Sequence, residues 1–221
     1  MAIPQIELPK WDVTYHAIID KLKVNENFAF SRWGDGEWKC ILGYKGNNCD
    51  GHIYYPSLSK RLSEVIDSHP KYIMGMQPLS VRVMWDNISN KANSIEWVNA
   101  DALHYASING VLNKFTDAIK NRNIILVCGS YMKGINIFKP NDICLIDSVN
   151  CYLNYDATLR EVKGKIKDNS VVLFCASMMS NVLIDDLFNL NNKCTYIDAG
   201  SVFDPYVGKI SRSYHKTLKI A

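Results

Sequence analysis

Four short apolar runs, at residues 124–128, 143–146, 171–175 and 195–197, constrain the fold more than any other feature of this chain. None is broken by a charge, and a strand carries such a run only when both of its faces are buried. Helix-length segments separate them at 132–138, 155–166 and 178–190. Strand-helix alternation repeated in this way implies parallel strands joined by right-handed crossovers. The expected architecture is an α/β, Rossmann-like domain, a mostly parallel sheet flanked by helices, with ligands beyond the carboxyl ends of the strands.

The first half continues the alternation. Val13, Ala17, Ile18 and Leu22 recur at helical spacing over 12–23, with Asp12 placed to cap the start. Residues 27–33 read as a strand running into a Gly34-Asp35-Gly36-Glu37 turn, followed by a short helix over 38–42. An amphipathic helix is expected over 58–66 and a strand over 71–76, stopped near Pro78. Two helices are expected between 94 and 120, the first carrying Trp97, Ala100, Leu103 and His104, the second Val111, Leu112, Phe115 and Ile119. With 221 residues and no repeat or Pro/Gly/Ser linker, a single domain over 1–221 is expected, ending in a basic tail from about residue 205 to 221.

Seven cysteines without a Cys-x-x-Cys pair argue against a disulfide framework or a zinc ribbon. Cys128, Cys144, Cys175 and Cys194 lie in apolar runs, as buried free thiols do, and a reducing, cytoplasmic setting is the expectation. The segment MAIPQIELPKW lacks an apolar signal core, and no stretch approaches the roughly 18 apolar residues of a membrane span. A net charge of +3 neither demands nor excludes a polyanionic partner.

Residues that follow the strands form one rim: 32–37, Gly129-Ser130, 147–150, 176–180 and 198–204. Gly129, Ser130, Ser177, Ser180 and Gly200 would let a phosphate approach the backbone and meet hydroxyls, and helix N-termini after Ser130 and Ser177 would add amide donors. Both G-x-G-x-x-G and G-x-x-x-x-G-K-[ST] are absent, which weighs against a dinucleotide site or a P-loop.

The sharpest motif is RWGDGEW, Arg32 to Trp38. Asp35 and Glu37 could share a Mg²⁺ or Mn²⁺ ion with diphosphate oxygens. Alternatively one carboxylate accepts the proton of an attacking hydroxyl while Arg32 neutralises a diphosphate leaving group. A third reading has the acids merely capping the following helix.

The segment FSRWGDGEW resembles the N-terminal signature of GT-D type glycosyltransferases, Rossmann-like nucleotide-sugar enzymes with an Asp-x-Glu motif after the first strand. IYYPSLSKRLSEVI, NIILVCGSYMKGINIF, SVNCYLNYDATLREV, VVLFCASMMSNVLIDDL and YIDAGSVFDPY extend the similarity in order, from about Phe28 to Tyr206. One departure is Ala176-Ser177-Met178-Met179-Ser180, where the family's turn is usually rich in Gly and Thr. The resemblance implies a metal-dependent transfer from a nucleoside-diphosphate sugar, most simply a UDP-sugar, with Asp35 and Glu37 tied to metal and donor. Gly34, Gly36, Gly129, Ser130, Asn150, Ser177, Met178, Ser180, Asp198 and Gly200 are the expected donor-side residues, and Arg32 joins Asp35 and Glu37 in catalysis.

The acceptor would be a saccharide or glycoprotein, or a hydroxymethylated DNA base. Residues assigned to acceptor or phosphate are His104, Asp204, Lys209 and Arg212, each with a blander alternative. His104 could be a satisfied structural histidine, Asp204 before Pro205 a turn former, and the tail with Lys209, Arg212, His215, Lys216 and Lys219 a solvated terminus. Asp147 could touch donor or acceptor. Trp33 and Trp38 could stack on a base or pack in the core, and Cys128 and Cys175 lack a nearby histidine to activate them. The rival from another class is a noncatalytic nucleotide- or nucleic-acid-binding module, with a methyltransferase as a third option.

Overall fold

The computed structural model describes residues 6–218. Its seven strands are β1 (Ala29–Trp33), β2 (Ile73–Met76), β3 (Trp97–Asn99), β4 (Ile124–Gly129), β5 (Asp142–Ile146), β6 (Val171–Phe174) and β7 (Thr195–Asp198). They form one sheet in the order β3-β2-β1-β7-β6-β4-β5, and every pair is parallel.

Strand order and crossover handedness together dictate which face each helix covers. From β1 the chain steps outward through β2 to β3, and from β5 it steps back through β6 to β7, both in one direction. The helices of those crossings belong on one face: α2 (Asp35–Ile41), α3 (Pro56–Asp67), α4 (Pro78–Ala92), α7 (Tyr155–Lys165) and α8 (Met179–Leu190). Leu62, Trp85, Ile88, Val162 and Leu183 from these helices share a single buried core. The return from β3 to β4 runs the other way, so α5 (Ala102–Ile108) and α6 (Asn113–Ile119) lie opposite, with α1 (Trp11–Lys23) beside them. Ile18, Ile19, Leu103 and Phe115 make the second core. Successive residues of β4 divide between the two, Ile125 and Val127 to the first and Ile124, Leu126 and Cys128 to the second. Two buried faces thus account for the apolar runs of β4, β6 and β7, whereas the run at 143–146 forms the edge strand β5, where Leu145 is exposed.

Several local expectations change. Residues 94–101 contain the edge strand β3, too short to show a period, and Trp97 anchors it by donating to the Ala92 carbonyl at 2.8 Å. Pro78 starts α4, where a missing N–H costs nothing, so the segment after β2 is a fifteen-residue helix. The Gly-Asp-Gly-Glu stretch is the first turn of α2, with Gly34 as its extended N-cap. Lys10 occupies the N-cap position of α1 without a side-chain bond, and Asp12 sits inside the first turn, where it complements the helix dipole. The segment 132–138 forms only a 3₁₀ turn over Ser130–Gly134.

Gly75 in β2 shows how closely the elements approach. A Cβ there would lie 2.9 Å from the Ala100 Cα and 3.0 Å from the Phe30 ring. The backbone of Ala100 cannot step aside cheaply, so Gly75→Ala should cost about 1–3 kcal/mol through overpacking. A lowered urea midpoint at unchanged m-value would show it, and an unchanged midpoint would contradict the packing described.

Candidate functional site

The carboxyl ends of the strands open into a crevice of about 710 Å³. It lies where outgoing connections part: β1 and β6 send theirs to one face, β4 and β7 to the other. A ligand site is expected at such a switch point.

Arg32, near the end of β1, sits on the floor. Its Nε donates to the Ala100 carbonyl at 2.7 Å, and its Nη2 reaches Asp101 Oδ1 at 3.2 Å. Gly200 lets it lie there. That residue has φ +55°, and a Cβ on it would fall 2.1 Å from Arg32 Nη1. Asp198, ending β7, accepts from the Gly200 N–H at 2.9 Å. Burial pushes the Asp198 carboxyl up to about 6, against the pull of Arg32 and of main-chain N–H groups at Gly200 and Arg32.

Glu37 is raised further. Its Oε2 accepts from the Gly34 N–H at 2.8 Å, turning the carboxylate back over the first turn of α2. Desolvation lifts it to about 7, the Gly34 hydrogen bond and the Arg32 charge opposing, the Asp198 charge assisting. A carboxyl balanced near neutral pH can both take and return a proton. His104 is held well below its ordinary value, first by burial and then by the charges of Arg32, Arg212 and His215. It stays neutral and is a poor proton acceptor beside Glu37. Its Nε2 lies 3.4 Å from Ser201 Oγ.

Asp35 and Glu37 do not converge as a tight turn would have them do. Two residues apart on a helix, they point to different sides; Asp35 pairs with Lys39 at 2.6 Å and Glu37 is taken by Gly34. Among the described residues no group of three His, Cys, Asp or Glu side chains could hold a metal. This donor set fits an ion that takes one carboxylate from the protein and the rest of its shell from diphosphate oxygens and water, as Mg²⁺ commonly does. It does not fit an ion held by protein alone.

Loop 43–55 and the C-terminal segment both line the crevice and meet each other there. Asn48 donates to Ser177 Oγ at 2.9 Å, and its Oδ1 accepts from the N–H groups of Asp50 and His52. Ser177 follows β6 in the left-handed region, φ +51°, a strained conformation for a residue other than glycine. Arg212 grips Asp50 through two bonds of 2.7 and 2.6 Å. Lys209 sits 3.7 Å above the Tyr131 ring, and buried Asp204 accepts from Tyr131 at 3.0 Å and from the Ser211 hydroxyl. In the expected basic tail Lys209 and Arg212 have partners within the protein and Lys216 is exposed, so the segment is a strap over the crevice; Lys219 lies outside the described residues. Asp204 anchors this strap.

Arg32, Gly34, Asp35, Gly36, Glu37, His104, Gly129, Ser177, Asp198, Gly200, Asp204, Lys209 and Arg212 all line the crevice. Four expected donor residues lie off its wall. Ser130 is exposed on the 3₁₀ turn. Met178 is buried in the core, and Ser180 is buried with its Oγ accepting from the Ala176 N–H. Asn150, in the left-handed region, holds loop 43–55 by accepting from the Ile53 N–H at 2.8 Å. Trp33 and Trp38 are fully buried and pack with Trp97. Burial pushes the Cys128 thiol up to about 12 and that of Cys175 well above its usual value, which keeps both protonated and unreactive. All seven cysteines are free.

Sequence reasoning passed over Asn48, Asp50, Gln77 and Asp101, which also line the crevice. Gln77 follows β2, a strand the sequence shows, so the rule of residues after strands already reaches it; Asp101 follows β3 and needed that strand to be legible. Asn48 and Asp50 come from a loop whose path is fixed only by tertiary contacts.

No family model matches the chain, and no curated protein matches it. Among the described residues no helix is long and apolar enough to cross a membrane. Two solved structures are similar in fold. One is described as the selenomethionine-substituted structure of domain of unknown function 1792, with TM-score 0.70 and 17% identity, covering 94% of this chain and 83% of that one. The other, described as showing that this highly conserved domain has a distinct glycosyltransferase fold, has TM-score 0.69, 17% identity and the same coverages of 94% and 83%. The likeness is one of architecture: this chain has a glycosyltransferase-like α/β fold built on a seven-stranded parallel sheet.

Proposed function

We propose that this chain is a GT-D type, metal-assisted glycosyltransferase that moves a sugar from a nucleoside-diphosphate donor, a UDP-sugar first, to a hydroxyl of a saccharide or glycoprotein. The observation that carries the reading is the pairing, in one crevice, of an immobilised guanidinium with a carboxyl balanced near pH 7. Glu37 takes the proton of the acceptor hydroxyl as its oxygen bonds to the sugar's anomeric carbon. The bond from that carbon to the diphosphate breaks, and the leaving group departs with its electron pair toward Arg32. Arg32 is already fixed by Ala100 and Asp101, so it meets the developing charge without reorganising. Asp35 is the carboxylate placed to hold a Mg²⁺ or Mn²⁺ ion, which when bound neutralises diphosphate charge. Ser177, Asn48 and Gly129 face the same space and supply hydroxyl, amide and close backbone approach to the rest of the donor.

Incubating the protein with a panel of nucleotide sugars and Mn²⁺, with glycan acceptors and hydroxymethylated DNA in parallel, tests the reading. A metal-dependent thermal shift with one donor and a sugar-sized mass gain on a saccharide are the expected results. A mass gain on DNA would keep the chemistry and change the acceptor. Salt-sensitive DNA binding without donor turnover would replace the enzyme with a binding module.

A further inference from the structure

A second groove, of about 510 Å³, runs along the N-terminal segment beside α1 and the start of α4. Tyr105 lines both this groove and the crevice, so the two depressions share a wall. Tyr105 as a residue is 41% exposed. Behind it stands Trp11, with ring centroids 5.9 Å apart and planes 24° from parallel. Trp11 packs in turn on the second core, which holds the pair rigid. Ile6 and Leu8 add apolar surface, and Glu7 and Lys10 bring carboxylate and ammonium groups to the same groove; the buried Asn99 amide already donates to Pro9 and accepts from Asp101.

We propose that this groove is an acceptor subsite: it binds the remainder of a saccharide chain whose reacting hydroxyl lies in the crevice, one sugar stacking on Tyr105. The inference rests on the glycosyl-transfer reading and adds to it the place where the saccharide acceptor lies and the ring that holds it. A pyranose has an apolar C–H face and a hydroxyl edge, and a half-exposed aromatic ring flanked by hydrogen-bonding groups matches both. Because the ring is pre-packed, stacking on it costs little ordering. Contacts this far from the reacting centre raise turnover as well as affinity, so short acceptors should be poor ones.

Saturation-transfer NMR with di- to hexasaccharides of glucose, galactose, N-acetylglucosamine and rhamnose tests the groove without requiring turnover. Transfer from the protein to at least one series, growing with chain length, is expected. Tyr105→Ala should weaken binding about tenfold, the worth of one aromatic stack. Tyr105→Phe, which keeps the ring, should retain it, separating lost stacking from lost folding. No contact with any saccharide, a Tyr105→Ala protein that binds as the wild type does, or contacts with a short-peptide pool alone would each overturn the proposal. Release of UDP from a donor is read separately: turnover without saccharide contact sinks the groove only, whereas saccharide contact without donor binding or turnover sinks the reading of the crevice.

Discussion

Gly200→Ala is expected to lower donor turnover by about 10²-fold while the sheet remains intact. Alanine at φ +55° enters the left-handed region, at about 1–2 kcal/mol. Its Cβ also needs the space of Arg32 Nη1, 2.1 Å away. Arg32 is pinned on its other side by Ala100 and Asp101, so it cannot swing clear without giving up both partners. A shift of this kind at a transition-state contact commonly costs about 10²-fold in rate. The fall in Tm should be roughly 4–8 °C for a chain of this size if backbone strain and the displaced guanidinium together cost about 2 kcal/mol. Gly110→Ala separates the two causes, because Gly110 has φ +68° with nothing within 4 Å of a new Cβ. It should lose stability and keep turnover. Equal turnover in Gly200→Ala and wild type would show that Arg32 does not serve the reaction from this position.

Glu37→Gln should lower turnover by about 10²–10⁴-fold, the usual worth of a general base. The glutamine carbonyl can still accept from the Gly34 N–H, so the start of α2 is preserved. The variant also carries a stability signature of the buried carboxyl. Glu37 moves from its ordinary 4.5 to about 7 on folding, so its contribution to stability is complete below pH 4.5 and is lost as pH rises through 7. The folded state binds the extra proton in that interval. The variant should therefore match wild type in Tm near pH 4.5 and exceed it at pH 8, and a calorimetric series across that range checks it. In the wild type kcat/KM should rise with pH through about 7, with the limb absent from the variant. A pH-independent difference in Tm would remove the buried, elevated carboxyl from the account.

What the sequence revealed follows from where each signal resides. The runs at 124–128 and 171–175 announced a doubly covered parallel sheet because every residue in them faces one core or the other. Asp198 and Gly200 were legible as the end of a strand, yet the reason for the glycine was not, since the atom that forbids a Cβ comes from β1. RWGDGEW was visible as chemistry, and of its alternative geometries the capping one is realised at Glu37, which takes the Gly34 N–H, while convergence fails because the helix sends Asp35 to a different side. Edge strand β3 is three residues long and hides Asp101, the partner of Arg32. The tail offered only its positive charge, and its partners, Asp50 and Tyr131, lie 162 and 78 residues upstream of Arg212 and Lys209 in the chain, 212 − 50 and 209 − 131.

The most direct measurement is a crystal structure of the protein with UDP and Mn²⁺. The diphosphate should lie in the crevice between β1 and β7 within hydrogen-bonding distance of the Arg32 guanidinium, with Asp35 the carboxylate that would hold the ion. UDP bound elsewhere on the protein, or in the crevice with its phosphates turned away from Arg32, would contradict the account.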